Sequence, residues 1–297
     1  MNELSLIIQS VCLEAAVGIM VFLAVFGLRK KDINGKTVSI CAAVLAVVGV
    51  GASITHLGQP LRAFNSLLNL GSSWMSRETL CVALFTMCCV LCAAVYLWKP
   101  AMKTALRVLE CASAVIGLVL LFIMGSIYTF ASVPVWDGAN TYIEYYATAI
   151  ILGAILFHAL TYKAQDARAG KLLSVLAFAA MAVQMIGSEL HMTGLAAGGG
   201  AAGMSAEILG GSSVLTVVKW VLLAGGVGLF CLSGVRASAP KLAAVTAGGA
   251  PEAVSVETVN TTRRTVAWVS ACAVVIAAFI GKVLFFSSMV TLGIGIQ

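Results

Sequence analysis

The amino-acid sequence predicts an all-α, polytopic membrane protein with eight transmembrane helices. Of its 297 residues, 61% are hydrophobic and only 10% are charged, whereas soluble proteins carry about 25% charged residues. Eight segments are long and apolar enough to cross a bilayer, which takes about 20 residues of helix. Because no soluble core has room for this much apolar surface, we expect one integral membrane domain over residues 1–297.

The eight segments follow one another along the chain, and each is expected to be helical because lipid offers the backbone no hydrogen-bond partner. Their approximate ranges are 4–28, 37–55, 78–98, 108–131, 143–162, 172–192, 214–235 and 265–286. No basic region precedes the first segment, so we expect a retained span and not a cleaved signal peptide. The Gly/Ala-rich stretch 193–213 is predicted to be an outer loop, and 236–264 a flexible linker.

The connections between the segments alternate in charge, and this alternation predicts the orientation. Four connections hold 14 of the 18 Lys and Arg residues. These residues are Arg29, Lys30, Lys31, Lys36, Lys99, Lys103, Arg107, Lys163, Arg168, Lys171, Arg236, Lys241, Arg263 and Arg264. Because basic loops stay in the cytoplasm, both termini are expected on the outer side of the membrane. The basic loops are therefore orientation signals and indicate no nucleic-acid partner.

The connection 54–80, ITHLGQPLRAFNSLLNLGSSWMSRETL, is unusually polar for this chain. A glycine and a proline are expected to end the second helix just after His56. Residues 61–70 place their large apolar side chains on one helical face, which predicts a short amphipathic helix at the membrane interface. Ser76 is expected to cap the third helix, with Glu78 in its first turn.

Polar side chains at membrane depth are concentrated near the predicted outer face, where they indicate a pocket that opens to that side. Glu14 lies deeper, and Glu110 and His158 lie toward the inner face. Ionisable groups inside a bilayer are costly and usually mark a site or a mutual pair. The outer group consists of His56, Arg62, Arg77, Glu78, Tyr128, Glu144, Gln184, Glu189, His191, Lys219 and Lys282.

His56 and Glu78 flank the polar elbow at similar depth, and this pairing suits the oxidation of a hydroquinone. Such a molecule is a flat apolar ring with a hydroxyl at each end, and its oxidation releases two electrons and two protons. An apolar slot, an imidazole, a carboxylate base and a path to water would together serve that chemistry.

The nine cysteines all fall inside apolar segments, where they are expected to pack as small, soft residues. The C-x-x-C within 88–92 lies in the middle of a span and not in a polar loop. No set of four cysteines has the spacing of an iron–sulfur loop, so we expect no cluster and no metal in this chain.

The block HLGQPLRAFNSL (56–67) resembles the signature of a known family, the membrane anchor subunits of dimethyl sulfoxide reductase of the DmsC type. SRETL (76–80) is similar to the acidic helix start of that family, and IYTFASVPVW (127–136) to its Tyr-then-Val-Pro-x-Trp outer loop. GSEL (187–190) and KWVLL (219–223) give weaker matches, and the eight-span pattern covers nearly the whole chain.

The resemblance implies a subunit that takes electrons from menaquinol and passes them to an iron–sulfur subunit with four [4Fe-4S] clusters. That subunit would feed a molybdopterin catalytic subunit, which reduces an S- or N-oxide. It further implies the fold of polysulfide-reductase-type anchors, with two four-helix bundles, and no haem or metal in this chain. The setting would be the bacterial cytoplasmic (inner) membrane, with the partner subunits on the periplasmic side.

Residue by residue, the resemblance places quinol binding on His56 and Glu78, with Arg62 in the shared block. Tyr128, Gln184 and Glu189 are then candidates to line the same quinol pocket. In this hypothesis His56 hydrogen-bonds one quinol hydroxyl, while Glu78, held anionic by its helix N-terminus, accepts a proton.

Three other functions remain open at this point. A haem b-containing, quinol-oxidising cytochrome subunit needs axial ligands, usually paired histidines at one depth, and His56 and His191 share the predicted outer side. A secondary transporter needs broken helices and polar groups near the bilayer midplane, which only Glu14 approaches. A purely structural anchor would explain the spans but not the clustered outer residues.

Overall fold

In a computed structural model, residues 2–27, 34–55, 69–129, 132–161, 167–236 and 256–292 are described. This part of the chain folds into nine helices. They are α1 (Asn2–Gly27), α2 (Gly35–Thr55), α3 (Trp74–Trp98), α4 (Lys103–Tyr128), α5 (Ala139–Thr161), α6 (Ala167–Gly198), α7 (Gly200–Gly211), α8 (Ser213–Arg236) and α9 (Val256–Ser287). The amphipathic helix predicted at 61–70 falls largely outside the described residues.

Eight of these helices are long and apolar enough to cross a membrane, which confirms the predicted number of spans. The predicted outer loop 193–213 is instead largely helical, because α6 continues to Gly198 and α7 follows directly. Gly199 and Gly200 separate the two helices at φ angles of +62° and +52°. This left-handed backbone is open to glycine at little cost, so the chain turns here without strain.

The spans form two four-helix bundles, as the family resemblance implied. In the first bundle, α1 and α3 each pack against both α2 and α4. In the second bundle, α5 and α8 have little contact with each other, and each packs against both α6 and α9. The bundles meet where α1 contacts α5 and α9, and where α4 contacts α5. Because α1 lies at the centre, it is the most enclosed span. Of its most apolar stretch, 78% is buried, compared with 28% for α3.

Two glycines let α1 and α5 approach closely at the boundary between the bundles. A Cβ added to Gly18 would strike the backbone of Ala149 and Gly153, and one added to Gly153 would strike the backbone of Gly18. Phe22, Phe26 and Phe157 extend this contact, with ring centroids 5.7–6.3 Å apart. The absence of side chains at these glycines therefore sets how closely the two bundles pack.

We expect Gly153→Leu to destabilise the protein by at least about 3 kcal/mol, the upper end of overpacking effects. The reason is that the clash is with the backbone of α1, which cannot move aside as a side chain can. The melting temperature of the purified protein in detergent would measure the effect. Gly225→Leu is the matched control, because a Cβ at Gly225 on α8 meets no atom within 4 Å. Equal melting temperatures for the two variants would contradict the close contact.

Candidate functional site

Glu78 lies on α3 and is hydrogen-bonded by a residue of α1. Its Oε1 accepts a hydrogen bond of 3.1 Å from Nε2 of Gln9. Gln9 is only 5% exposed, and its own Oε1 is buried without a hydrogen-bond partner among the described residues. The two other residues predicted at the elbow, His56 and Arg62, lie outside the described part of the chain. The described residues thus bring a carboxylate of the elbow, Glu78, next to an unsatisfied amide oxygen of α1.

The start of α3 corrects the prediction that Ser76 caps this helix. The cap is Ser73, whose side chain accepts a hydrogen bond of 3.4 Å from the backbone N–H of Ser76. Arg77 draws the preceding turn onto the helix, since it donates to the carbonyl oxygens of Leu70 and Gly71 at 2.9 and 2.7 Å. The prediction that Glu78 lies in the first turn is therefore wrong: it lies in the second, where the influence of the helix N-terminus has largely faded.

Aromatic side chains wall the region behind Glu78. The Tyr128 ring contacts Trp136, Tyr145, Phe285 and Phe286 at centroid distances of 5.2–6.4 Å. The Tyr128 hydroxyl is close enough to the Glu78 carboxylate for the two to interact electrostatically. Because these rings come from both bundles, the wall continues across their boundary.

A buried ion pair ties the two bundles together. Lys282 of α9 pairs with Glu14 in the middle of α1, and these residues are 4% and 0% exposed. The ammonium of Lys282 also lies 3.5 Å from the centroid of the Tyr145 ring. The second carboxylate oxygen of Glu14 has no hydrogen-bond partner in the described residues. Both charges are thus removed from water and depend on each other and on Tyr145.

A second polar cluster lies inside the second bundle. The carboxylate of Glu144 accepts a hydrogen bond from Nε2 of Gln184 at 2.5 Å and pairs with Nζ of Lys219 at 3.3 Å. Gln184 is 3% exposed and also lies 3.3 Å from the hydroxyl of Thr148. The cluster brings α5, α6 and α8 together around one acid.

A cleft of about 290 Å³ opens beside this cluster, between α5, α6, α7, α8 and α9, and we call it the second-bundle cleft. Glu144 and Lys219 lie at one side of it, and the exposed Glu189 lies at another. His191 also lines the cleft, and its Nε2 is 2.9 Å from the carbonyl oxygen of Val135. Trp220 and Phe285 add apolar walls. The cleft therefore offers both ionisable and aromatic surfaces.

The structure divides the predicted site residues into two groups. Glu78 and Tyr128 interact with each other near the bundle boundary. Gln184 and Glu189 belong to the interior and the cleft of the second bundle. Their common role in one quinol pocket stays a prediction. In the sequence, Glu14 and Lys282 stand out as charges at membrane depth but not as residues of a site. The available signal for their pairing was that an acid and a base lie in two different spans.

The end of the first bundle opposite Glu78 carries a separate polar cluster. Glu110 accepts hydrogen bonds from the Tyr96 hydroxyl at 2.5 Å and from Arg107 at 2.7 Å. Arg107 also donates to the carbonyl oxygen of Gly27 at the end of α1. This cluster supplies a hydrogen-bond donor to a backbone carbonyl at the end of α1 and joins that end to α3 and α4. Across the described ranges, no three His, Cys, Asp or Glu side chains converge as metal ligands do.

Comparison with known proteins places this arrangement in a family. Residues 1–248 match a family model described as the DMSO reductase anchor subunit (DmsC). The sequence is 34% identical over 167 residues to an anaerobic dimethyl sulfoxide reductase subunit of Haemophilus influenzae, covering 53% of this protein and 58% of that one. The matched region thus spans little more than half of that relative.

Two proteins of Escherichia coli are also similar. The anaerobic dimethyl sulfoxide reductase subunit YnfH is 26% identical over 208 residues, which is 69% of this protein and 72% of that one. A further anaerobic dimethyl sulfoxide reductase subunit of the same organism is 27% identical over 206 residues, which is 66% of this protein and 70% of that one.

Proposed function

Because this multi-pass membrane protein belongs to the DmsC family of DMSO reductase anchor subunits, we propose that it anchors such a reductase and oxidises menaquinol for it. The electrons pass to an iron–sulfur partner subunit with four [4Fe-4S] clusters. A molybdopterin catalytic subunit then uses them to reduce an S- or N-oxide. This chain spans the bacterial inner membrane, with both partners on the periplasmic side.

The proposed quinol site rests on one observation, the unsatisfied amide oxygen of Gln9 beside Glu78. A buried acceptor without a donor is costly, and a quinol hydroxyl is a donor of the right kind. The same amide holds the Glu78 carboxylate at 3.1 Å, so one hydroxyl has two acceptors within reach. The aromatic wall of Tyr128 and its neighbours suits the flat apolar ring. These residues fit a hydroquinone headgroup.

In hydroquinone oxidation, the side chains of the site act on the protons, and the electrons leave by a separate route. Hydroquinone oxidation breaks two O–H bonds, sends two electrons to the partner's cluster and leaves two protons. Glu78 accepts a proton from the hydroxyl nearest to it, acting as general base. His56 hydrogen-bonds the other hydroxyl and holds the ring in register. Electron tunnelling is short-ranged, so the cluster must lie on the face of the membrane that carries this site.

The competing functions are less well supported by the described side chains. Haem ligation by His191 would require its Nε2 to leave the carbonyl oxygen of Val135. His158 instead packs its ring edge-on against Phe230 at 5.1 Å. Secondary transporters place discontinuous helices at the bilayer midplane, whereas the break between α6 and α7 lies at the end of a span.

A photoreactive quinone analogue tests where the headgroup binds in the assembled complex. We expect it to label peptides that contain Gln9, Glu78 or Tyr128, and excess unlabelled quinone to prevent the labelling. The Glu110 peptide is the control, because that buried acid lies in the separate cluster at the other end of the first bundle. Specific labelling confined to the second-bundle cleft would contradict the proposed location.

A further inference from the structure

The buried charges between Glu78 and the second-bundle cleft have no part in holding the quinol ring, yet they follow one another across the molecule. Glu14 and Lys282 lie at the boundary of the bundles, and Glu144 and Lys219 lie inside the second bundle. Glu14 and Glu144 are close enough to interact electrostatically. Two acid–base pairs in lipid-depth helices are expensive to maintain, which usually indicates a function.

A small void joins the two ion pairs. Its volume is about 10 Å³, and its polar lining is Glu144, Thr148, Gln184, Lys219 and Lys282. A void of about 10–15 Å³ is the smallest that holds one water molecule, provided that two to four polar groups surround it. The unpaired side-chain oxygen of Gln184 is buried here as an acceptor. One water would therefore satisfy Gln184 and connect Lys282 to the Glu144 cluster.

The connection continues toward Glu78 along α1. Gln9, which holds Glu78, precedes Glu14 by five residues, or about 7.5 Å along the helix axis. Tyr145 lies beside this interval, since its ring centroid is 6.4 Å from that of Tyr128 and 3.5 Å from the Lys282 ammonium. Its buried hydroxyl has no hydrogen-bond partner among the described residues. The Gln9 amide and the Tyr145 hydroxyl are therefore the polar groups available between Glu78 and Glu14.

The connection also reaches the open end. Glu144 and Lys219 line the small void on one side and the second-bundle cleft on the other. Glu189 is exposed and lines the same cleft. A proton that arrives at Glu144 therefore has a second carboxylate and an open space within one cleft.

We propose that Glu14, Lys282, Glu144 and Gln184 form a proton relay that carries protons from Glu78 to the second-bundle cleft. The proposal rests on the proposed quinol oxidation at Glu78. The proton that Glu78 takes from the nearest quinol hydroxyl enters the relay there and passes by way of the Tyr145 hydroxyl to Glu14. An equivalent proton leaves at the cleft, so the relay keeps its charge. The second quinol proton leaves from the hydroxyl that His56 holds, outside the relay. Lys282 and Glu14 exchange a proton within their pair, the water in the void passes it on, and Gln184 positions the Glu144 carboxylate to receive it. The electrons take the separate path to the partner's cluster.

Two variants of the assembled complex in its membrane test the relay. Glu14→Gln combined with Lys282→Met removes both charges without leaving either one buried alone. Glu144→Gln keeps the size of the side chain and one acceptor oxygen for Gln184, but it removes the titratable group and the ion pair with Lys219. We expect kcat for quinol oxidation to fall about a hundredfold in each, the lower end of the effect of losing a proton-transfer group. KM and the affinity for a quinone analogue should stay unchanged, and the solvent deuterium isotope effect on kcat should rise.

Glu110→Gln is the matched control, because it removes a buried carboxylate outside the relay. Its kcat and isotope effect should equal those of the wild type. Wild-type kcat in both relay variants would overturn the relay, and so would a fall in kcat with no rise in the isotope effect. If the double variant fails to assemble, Glu144→Gln alone decides. Glu78→Gln separates the two proposals: normal turnover there refutes quinol oxidation at Glu78, whereas its loss beside normal relay variants refutes only the relay.

Discussion

Glu78→Gln and His56→Ala should each lower quinol-dependent oxide reduction by about a hundredfold or more, since a general acid or base typically contributes about a hundredfold to ten-thousandfold. Glutamine keeps the shape of Glu78 and its hydrogen bond to Gln9 but cannot take a proton from a quinol hydroxyl. Alanine at position 56 removes the imidazole that orients the other hydroxyl. Because glutamine can keep the hydrogen bond that joins α3 to α1, the complex with Glu78→Gln should still assemble.

The measurement is steady-state oxidation of a menaquinol analogue by membranes that contain the complex. A soluble dye that reduces the partner's clusters directly serves as the internal reference, since its turnover should be normal in both variants. Glu3→Gln is the matched control: Glu3 is an exposed acid at the same end of α1, away from Gln9 and Glu78. Normal quinol turnover in the His56 and Glu78 variants would refute the assignment of the site.

Lys282→Met is expected to lower the stability of the folded protein by about 3–5 kcal/mol, the usual effect of leaving one member of a buried ion pair alone. Glu14 is fully buried and its carboxylate has Lys282 as its ion-pair partner. The change also removes the cation from the face of Tyr145. Since the pair joins α1 to α9, the loss should loosen the boundary between the two bundles. Thermal unfolding in detergent, together with the amount of protein inserted in the membrane, measures it.

Adding Glu14→Gln to Lys282→Met should restore most of that stability. The reason is that a neutral pair has no desolvated charge, and replacing a whole buried ion pair is often close to neutral. Met102→Leu is a suitable control, because Met102 is an exposed residue ahead of α4. If Lys282→Met alone melts like the wild type, the pair does not stabilise the boundary.

Much of the candidate site could be predicted from residue chemistry, but only as separate groups. The elbow acid, Tyr128, Gln184 and Glu189 could all be named because polar side chains stand out in apolar segments. Gln9 was missed, since a glutamine near the first helix start carries no signal without its contact to Glu78. The cap at Ser73 was missed for a similar reason, because Arg77 fixes the helix start through bonds to the preceding turn.

The fold class and the number of spans follow from the amino-acid sequence alone, because a bilayer forces any sufficiently long apolar segment to satisfy its backbone as a helix. Charge in the loops predicts the orientation by a local rule. Which membrane-depth charges meet depends on how the helices pack. Glu14 and Lys282 lie near opposite ends of the chain, and their pairing depends on how α1 fits between α5 and α9 at Gly18 and Gly153. That fit depends on several packed helices together, so the pairing of the two charges cannot be predicted from any single segment.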